Sequence, residues 1–88
     1  MILKLSKFGE ILISRPSGRE AYLSFKAYLL DKKEKIIVID FEKVKVLTPS
    51  WMDEFLTQLK EDYPKLKIIF RKSANPTVIS SLDTLSST

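Results

Sequence analysis

The sequence contains no cysteine and no histidine. Without cysteine there is no disulfide framework, no thiol nucleophile and no thiolate metal site. Without histidine, the commonest general base and the commonest metal ligand are both missing. These absences argue against a hydrolase or a zinc enzyme, because only carboxylates, hydroxyls, lysines and arginines remain for chemistry. Glycine occurs only at Gly9 and Gly18, too sparsely for a glycine-rich phosphate loop. No apolar run approaches the roughly 20 residues that span a bilayer. Residues 1–10, with Lys4 and Glu10, lack the apolar stretch and cleavage site of a secretory signal. The expectation is a cytoplasmic, non-catalytic protein without a cofactor, a metal site or a membrane association.

The 88 residues fit a single domain over 1–88, with residues 86–88 expected to fray. Hydrophobic residues at 44% and charged residues at 30% exclude a disordered chain. The net charge of +4 is unevenly placed: residues 1–48 hold ten Lys/Arg against six Asp/Glu, and residues 49–88 hold five of each. Lys26, Lys32, Lys33 and Lys35 supply much of the excess, interleaved with Asp31 and Glu34. That run reads either as a weak patch for an acidic partner or nucleic acid, or as helix-end and solubility charge. Its mixed sign and scarcity of interleaved aromatics favour the second reading.

The local pattern is strand, strand, helix, strand, helix, strand, helix. Residues 2–5 and Ile11–Ile13 are short extended segments about Gly9. Ser17 and Glu20 are spaced as a capping box, and Pro16 is read as a block to any earlier helix start. The helix that follows carries Tyr22, Phe25 and Leu29 on one face and ends near residues 31–33. Ile36, Ile37, Val38 and Ile39 form the strongest strand, and their unbroken run predicts burial on both faces. Thr48-Pro49 is a cap followed by a proline suited to the first helical position. The second helix then runs to about Glu61, with an apolar stripe of Trp51, Met52, Phe55, Leu56 and Leu59. Residues 65–70 form the last strand, and Asn75-Pro76 repeats the cap signal before a helix faced by Val78, Ile79, Leu82 and Leu85. A strand, a helix and then a buried strand imply a parallel pair with a right-handed crossover.

Candidate functional residues gather between Asp40 and Glu54. Open α/β sheets bind their partners at the carboxyl ends of parallel strands. Here Asp40 ends the buried strand and Ser50 opens a helix whose unpaired N–H groups and dipole favour an anion. A phosphate on Ser50 would add about −1.5 to −2 charge to that corner. Each residue also has a structural reading: Ser50 as an ordinary first-turn residue, Asp40 as a partner for loop backbone, Trp51 as core packing rather than an interface anchor. Asp53 and Glu54 point about 100° apart on a helix, which suits dipole compensation better than acid–base work. Arg15 and Arg19 read as exposed charges or as holders of an anionic group.

The stretch Asp40-Phe41, Val44 and Thr48-Pro49-Ser50-Trp51 resembles the STAS domain of bacterial anti-sigma-factor antagonists. In that family a strand ends in an aspartate, a loop carries a valine, and a serine at the next helix start is phosphorylated by a partner kinase. Ser50 falls on that serine; Thr48 stands where the antagonists have aspartate and Trp51 where they have glycine. The closer similarity is to the STAS-like domain of unknown function, through Val44, Leu47, Thr48, Pro49, Ser50, Trp51, Asp53, Glu54 and Phe55, over about residues 9–85.

The resemblance implies a small α/β sandwich, a four-stranded mixed sheet with about three helices mainly on one face. It implies a regulatory protein-interaction module that meets a histidine-kinase-type ATPase, a serine kinase or an anti-sigma-like factor through Asp40, Thr48, Ser50, Trp51, Asp53 and Glu54. The alternative is a nucleic-acid-binding accessory protein using the basic first half, and a homodimer paired through a sheet edge is a third.

Overall fold

In the computed structural model, which describes residues 1–86, the strands are β1 (Ile2–Lys4), β2 (Ile11–Leu12), β3 (Ile36–Asp40), β4 (Val46–Leu47) and β5 (Lys67–Phe70). The α-helices are α1 (Arg15–Ser24), α2 (Pro49–Asp62) and α3 (Pro76–Ser86). A 3-10 turn at Leu5–Phe8 follows β1, and a π-helical turn at Phe25–Leu29 continues α1. The fraying expected at 86–88 lies, for residues 87 and 88, outside the described residues; Ser86 is the last residue of α3.

The β-branched run of β3 takes the central place in a sheet ordered β1-β3-β5, as its apolar content predicts. Both pairings are parallel, with Ile2 opposite Val38 and Ile37 opposite Ile68. The expected single four-stranded mixed sheet is corrected on two counts. Among the described residues five strands form two sheets, and every pair is parallel, β2 and β4 making a separate two-stranded sheet. The cause lies after β1, where the 3-10 turn and Gly9, at φ +128°, redirect the chain. That φ suits glycine because it has no Cβ to clash. The redirected chain cannot return beside β1 as a hairpin, and β2 instead meets β4.

The strand β3 is also less enclosed than its sequence predicts. Ile37 and Ile39 are fully buried, but Ile36 is 45% exposed and Val38 is half-buried. One face therefore joins the core and the other meets solvent, despite four aliphatic residues in a row. The core centres on Phe55 of α2. Trp51 stacks on it at 5.4 Å, Tyr22 meets it edge-on at 5.7 Å, and Phe25 lies at 5.7 Å. Such aromatic pairs add about 0.5–1.5 kcal/mol each beyond area burial, and the Tyr22–Phe55 pair joins α1 to α2.

Helix starts follow one recipe, a capping side chain with a proline in the first turn. The hydroxyl of Ser14 accepts from the Ser17 N–H at 3.2 Å, Thr48 from the Trp51 N–H at 3.3 Å, and the amide oxygen of Asn75 from the Thr77 N–H at 2.9 Å. The first of these corrects the sequence reading of α1. Pro16 does not block the helix but sits within its first turn, where a missing N–H costs nothing. Ser17 is then already helical, and the capping residue is Ser14. The regular α-helix ends at Ser24, and the π turn ends at Leu29, ahead of the expected 31–33.

Candidate functional site

The two-stranded sheet positions the candidate site. Leu12 pairs with Leu47, and the Thr48 N–H donates to the Leu12 carbonyl at 3.0 Å. Two neighbouring parallel strands thus deliver two helix starts side by side, with Ser14 capping α1 and Thr48 capping α2. The Thr48 hydroxyl also donates to the Ile13 carbonyl, so one side chain ties the start of α2 to the chain entering α1. The far side of β4 is held by α3. There the Thr77 hydroxyl accepts from the Leu47 N–H at 3.1 Å, and the buried Ser81 hydroxyl donates to the Leu47 carbonyl at 2.9 Å.

Contact between the two helix starts is close. A Cβ on Gly18 would stand 2.6 Å from the Trp51 carbonyl oxygen, nearer than real Cβ atoms approach. Glycine is therefore required there by space. The indole Nε1–H of Trp51 donates to the Ser17 hydroxyl at 3.2 Å, and its ring is fully buried. Trp51 is thus core at the helix junction, and its side chain is not available as an exposed anchor.

Charge at the corner is balanced locally. Arg15 opens α1, where the positive helix end disfavours a cation. Its guanidinium donates to Asp53 at 2.8 Å and lies 3.7 Å from Glu54. The hydrogen bond to Asp53 is the largest cause raising the Arg15 pKa above its usual value, with partial desolvation opposing it. Asp53 and Glu54, read from the sequence as dipole compensation, serve as counter-ions to Arg15 of the facing helix. Ser50 occupies the second position of α2 and is exposed. The structure thus brings together Thr48, Ser50, Trp51, Asp53 and Glu54.

Asp40 belongs elsewhere. It is 7% exposed at the end of β3, accepts from the Glu42 N–H at 3.0 Å, and meets Arg71 at 3.4 Å. Its role is to hold the loop after β3 and the segment after β5, in line with its structural reading. The sequence analysis missed Gly18 as a contact point and Ser17 as the partner of Trp51. It also missed a cluster at the opposite end of α2, where Asp62 accepts from the Tyr22 hydroxyl at 2.7 Å and from Lys26 at 2.9 Å. Burial first, and the bond to Asp62 second, push the Tyr22 phenol pKa up. Nothing in local spacing joins residues forty positions apart; the only signal was Tyr22 and Lys26 on neighbouring turns of one helix. Among the described residues no buried side-chain polar atom lacks a partner, and no three His, Cys, Asp or Glu side chains gather as metal ligands. No described helix is long and apolar enough to cross a membrane.

No curated protein and no solved structure matches the chain. The model of one family, described as a STAS-like domain of unknown function, matches residues 17–78. That span runs from Ser17 at the start of α1 to Val78 in α3 and includes the whole Thr48–Glu54 corner. The chain is a member of the STAS-like domain family of unknown function.

Proposed function

We propose that this chain is a cytoplasmic, non-catalytic regulatory module that docks a protein partner at the start of α2, with docking controlled by charge on Ser50. The observation that carries this reading is an exposed hydroxyl on an otherwise locked corner: Thr48 is tied to Ile13 and Trp51 is buried, while Ser50 faces outward. A rigid corner presents the same surface to every partner molecule, and one modifiable group on it changes that surface without changing the fold. The partner class suggested by the resemblance is a histidine-kinase-type ATPase acting as a serine kinase, or an anti-sigma-like factor. Ser50, Asp53 and Glu54 are the contact residues of this reading. The buried Trp51 and the capping Thr48 shape the surface beneath them, and Asp40, buried at the end of β3, lies outside it.

The physical consequence of modification is asymmetric. A negative charge at a helix N-terminus stabilises it by about 0.3–1 kcal/mol, and nearby Asp53 and Glu54 oppose that gain, so folding is nearly unaffected. A docked partner instead meets a new desolvation cost and like-charge repulsion. Ser50→Asp is expected to unfold at the parent's urea midpoint yet bind the partner at least several-fold more weakly. Ser50→Ala is expected to bind normally and to resist switching. The measurement is capture of the partner from native lysate, then titration calorimetry with the recovered protein. Equal affinity of Ser50→Asp and the parent would remove this corner as the switch surface. Capture of nucleic acid that is lost at moderate salt would replace the reading with the accessory-protein one.

A further inference from the structure

The strand β5 pairs with β3 on one side, and no described strand lies on the other. The N–H groups of Lys67 and Arg71 donate inward, to the carbonyls of Lys35 and Ile39. Alternate residues of a strand turn their backbone groups to opposite sides, so the N–H and C=O of Ile68 and Phe70 point outward from the sheet. Such an edge is a template for another strand. It is also apolar: Ile69 and Phe70 are 39% and 38% exposed. Beside it runs a groove lined by Leu66, Ile68 and Phe70, continuing between α2 and α3 past Leu56 and Leu82.

The charge on this edge selects its occupant. Residues 65–72 carry Lys65, Lys67, Arg71 and Lys72 and no acidic side chain. A second copy laid along the same edge would face these cations with its own, and like charges opposite one another are destabilising. Asp40 already partners Arg71 at 3.4 Å, and Asp83 lines a neighbouring cavity with Arg71 and Lys72, so Lys65 and Lys67 carry most of the uncompensated charge. Register sorts the two faces. Ile68 and Phe70 stand opposite Ile37 and Ile39 on the core side, and Lys67 and Ile69 stand opposite Ile36 and Val38 on the open side.

We propose that the outer edge of β5 accepts an extended acidic segment of another protein as an added strand. Its apolar residues enter the groove beside Ile68 and Phe70, and its carboxylates, on the open side, meet Lys65 and Lys67. This surface shares no residue with the Ser50 corner and does not depend on what that corner binds.

The test uses the 15N-labelled full chain and a synthetic nonapeptide alternating glutamate with valine. Expected are saturable shift changes confined to residues 65–72, slowed amide exchange at Ile68 and Phe70, and affinity that falls with salt. N-methylation of alternate peptide amides, which removes strand pairing and leaves the protein untouched, is expected to weaken binding by about tenfold or more. Lys65→Glu combined with Lys67→Glu is expected to weaken it to a similar degree, about tenfold, with the thermal midpoint retained. Any one of four results overturns the proposal: unchanged affinity of the N-methylated peptide, equal binding of a lysine–valine counterpart, shift changes centred elsewhere, or tighter binding of a single-stranded oligonucleotide to the same residues. A concentration-dependent dimer that protects these two amides without peptide assigns the edge to a second copy and overturns it as well.

Discussion

Replacing Gly18 by alanine sets two opposite effects against each other. In an unobstructed helix the change stabilises, because alanine exceeds glycine in helix propensity by about 0.8–1.0 kcal/mol. Here the new methyl group meets the Trp51 carbonyl oxygen at 2.6 Å and the Trp51 Cα at 3.3 Å. Both neighbours are backbone, so no side chain can swing aside. Relief requires moving the first turn of α2, whose Trp51 ring is fully buried, stacked on Phe55 and bonded to Ser17. Overpacking of this kind costs about 1–3 kcal/mol. After the propensity gain the net destabilisation is roughly 0–2 kcal/mol, and a loss of 1 kcal/mol lowers the midpoint of a domain this size by about 4–8 °C. Urea unfolding followed by tryptophan fluorescence reads the change directly, since Trp51 is the only tryptophan and lies at the affected contact. An alanine variant stabilised by the full propensity increment would refute the close approach of α1 and α2.

Thr48→Ala removes both the acceptor for the Trp51 N–H and the donor to the Ile13 carbonyl. A stability loss of about 0.5–2 kcal/mol is expected, towards the upper end, with Thr48→Ser keeping most of the parent's stability; a loss in urea unfolding below that range would show that the cap contributes little. Acid unfolding should report Asp62, whose pKa is lowered first by its hydrogen bond from Lys26 and then by that from Tyr22. Because the folded value lies below the unfolded one, its contribution is present above the ordinary carboxylate pKa near 4 and is lost as pH falls through the folded value. The thermal midpoint of Asp62→Asn, scanned below about pH 5, should therefore fall less steeply than the parent's, and parallel curves would count against that linkage.

What was legible in the sequence had a local cause. The run Ile36–Ile39 announced the central strand, because four aliphatic residues, three Ile and one Val, favour that environment strongly. Thr48-Pro49 and Asn75-Pro76 announced α2 and α3, since cap and proline act within one turn. Pro16 misled because the residue before a proline is biased away from helix, but proline itself fits a first turn; the cap at Ser14 decided between the two. The strand β4 carried no local signal. Val46–Leu47 is extended because β2 and α3 bind it, and both partners are remote in sequence. The candidate site followed the same division. Its α2 residues were legible from cap spacing, but the facing half, Arg15, Ser17 and Gly18, is placed by that remote pairing. The exposure of Ile36 was illegible for a related reason: the run specifies a strand, and only the layout of the helices decides which face is covered.

The all-parallel pairing has a consequence for the order in which the chain can assemble. Each ladder joins residues more than 30 positions apart, Ile2 with Val38, Ile11 with Val46 and Ile36 with Lys67. Closing such loops costs entropy before any ladder bond returns it, which slows folding relative to hairpin-built sheets. During synthesis, β1 and β3 emerge before α2, whose Phe55 and Leu59 enclose the same core as Ile37 and Ile39. The growing chain therefore carries β3 with only the cover that Tyr22 and Phe25 provide until α2 has left the ribosome, and β5 joins the sheet only afterwards.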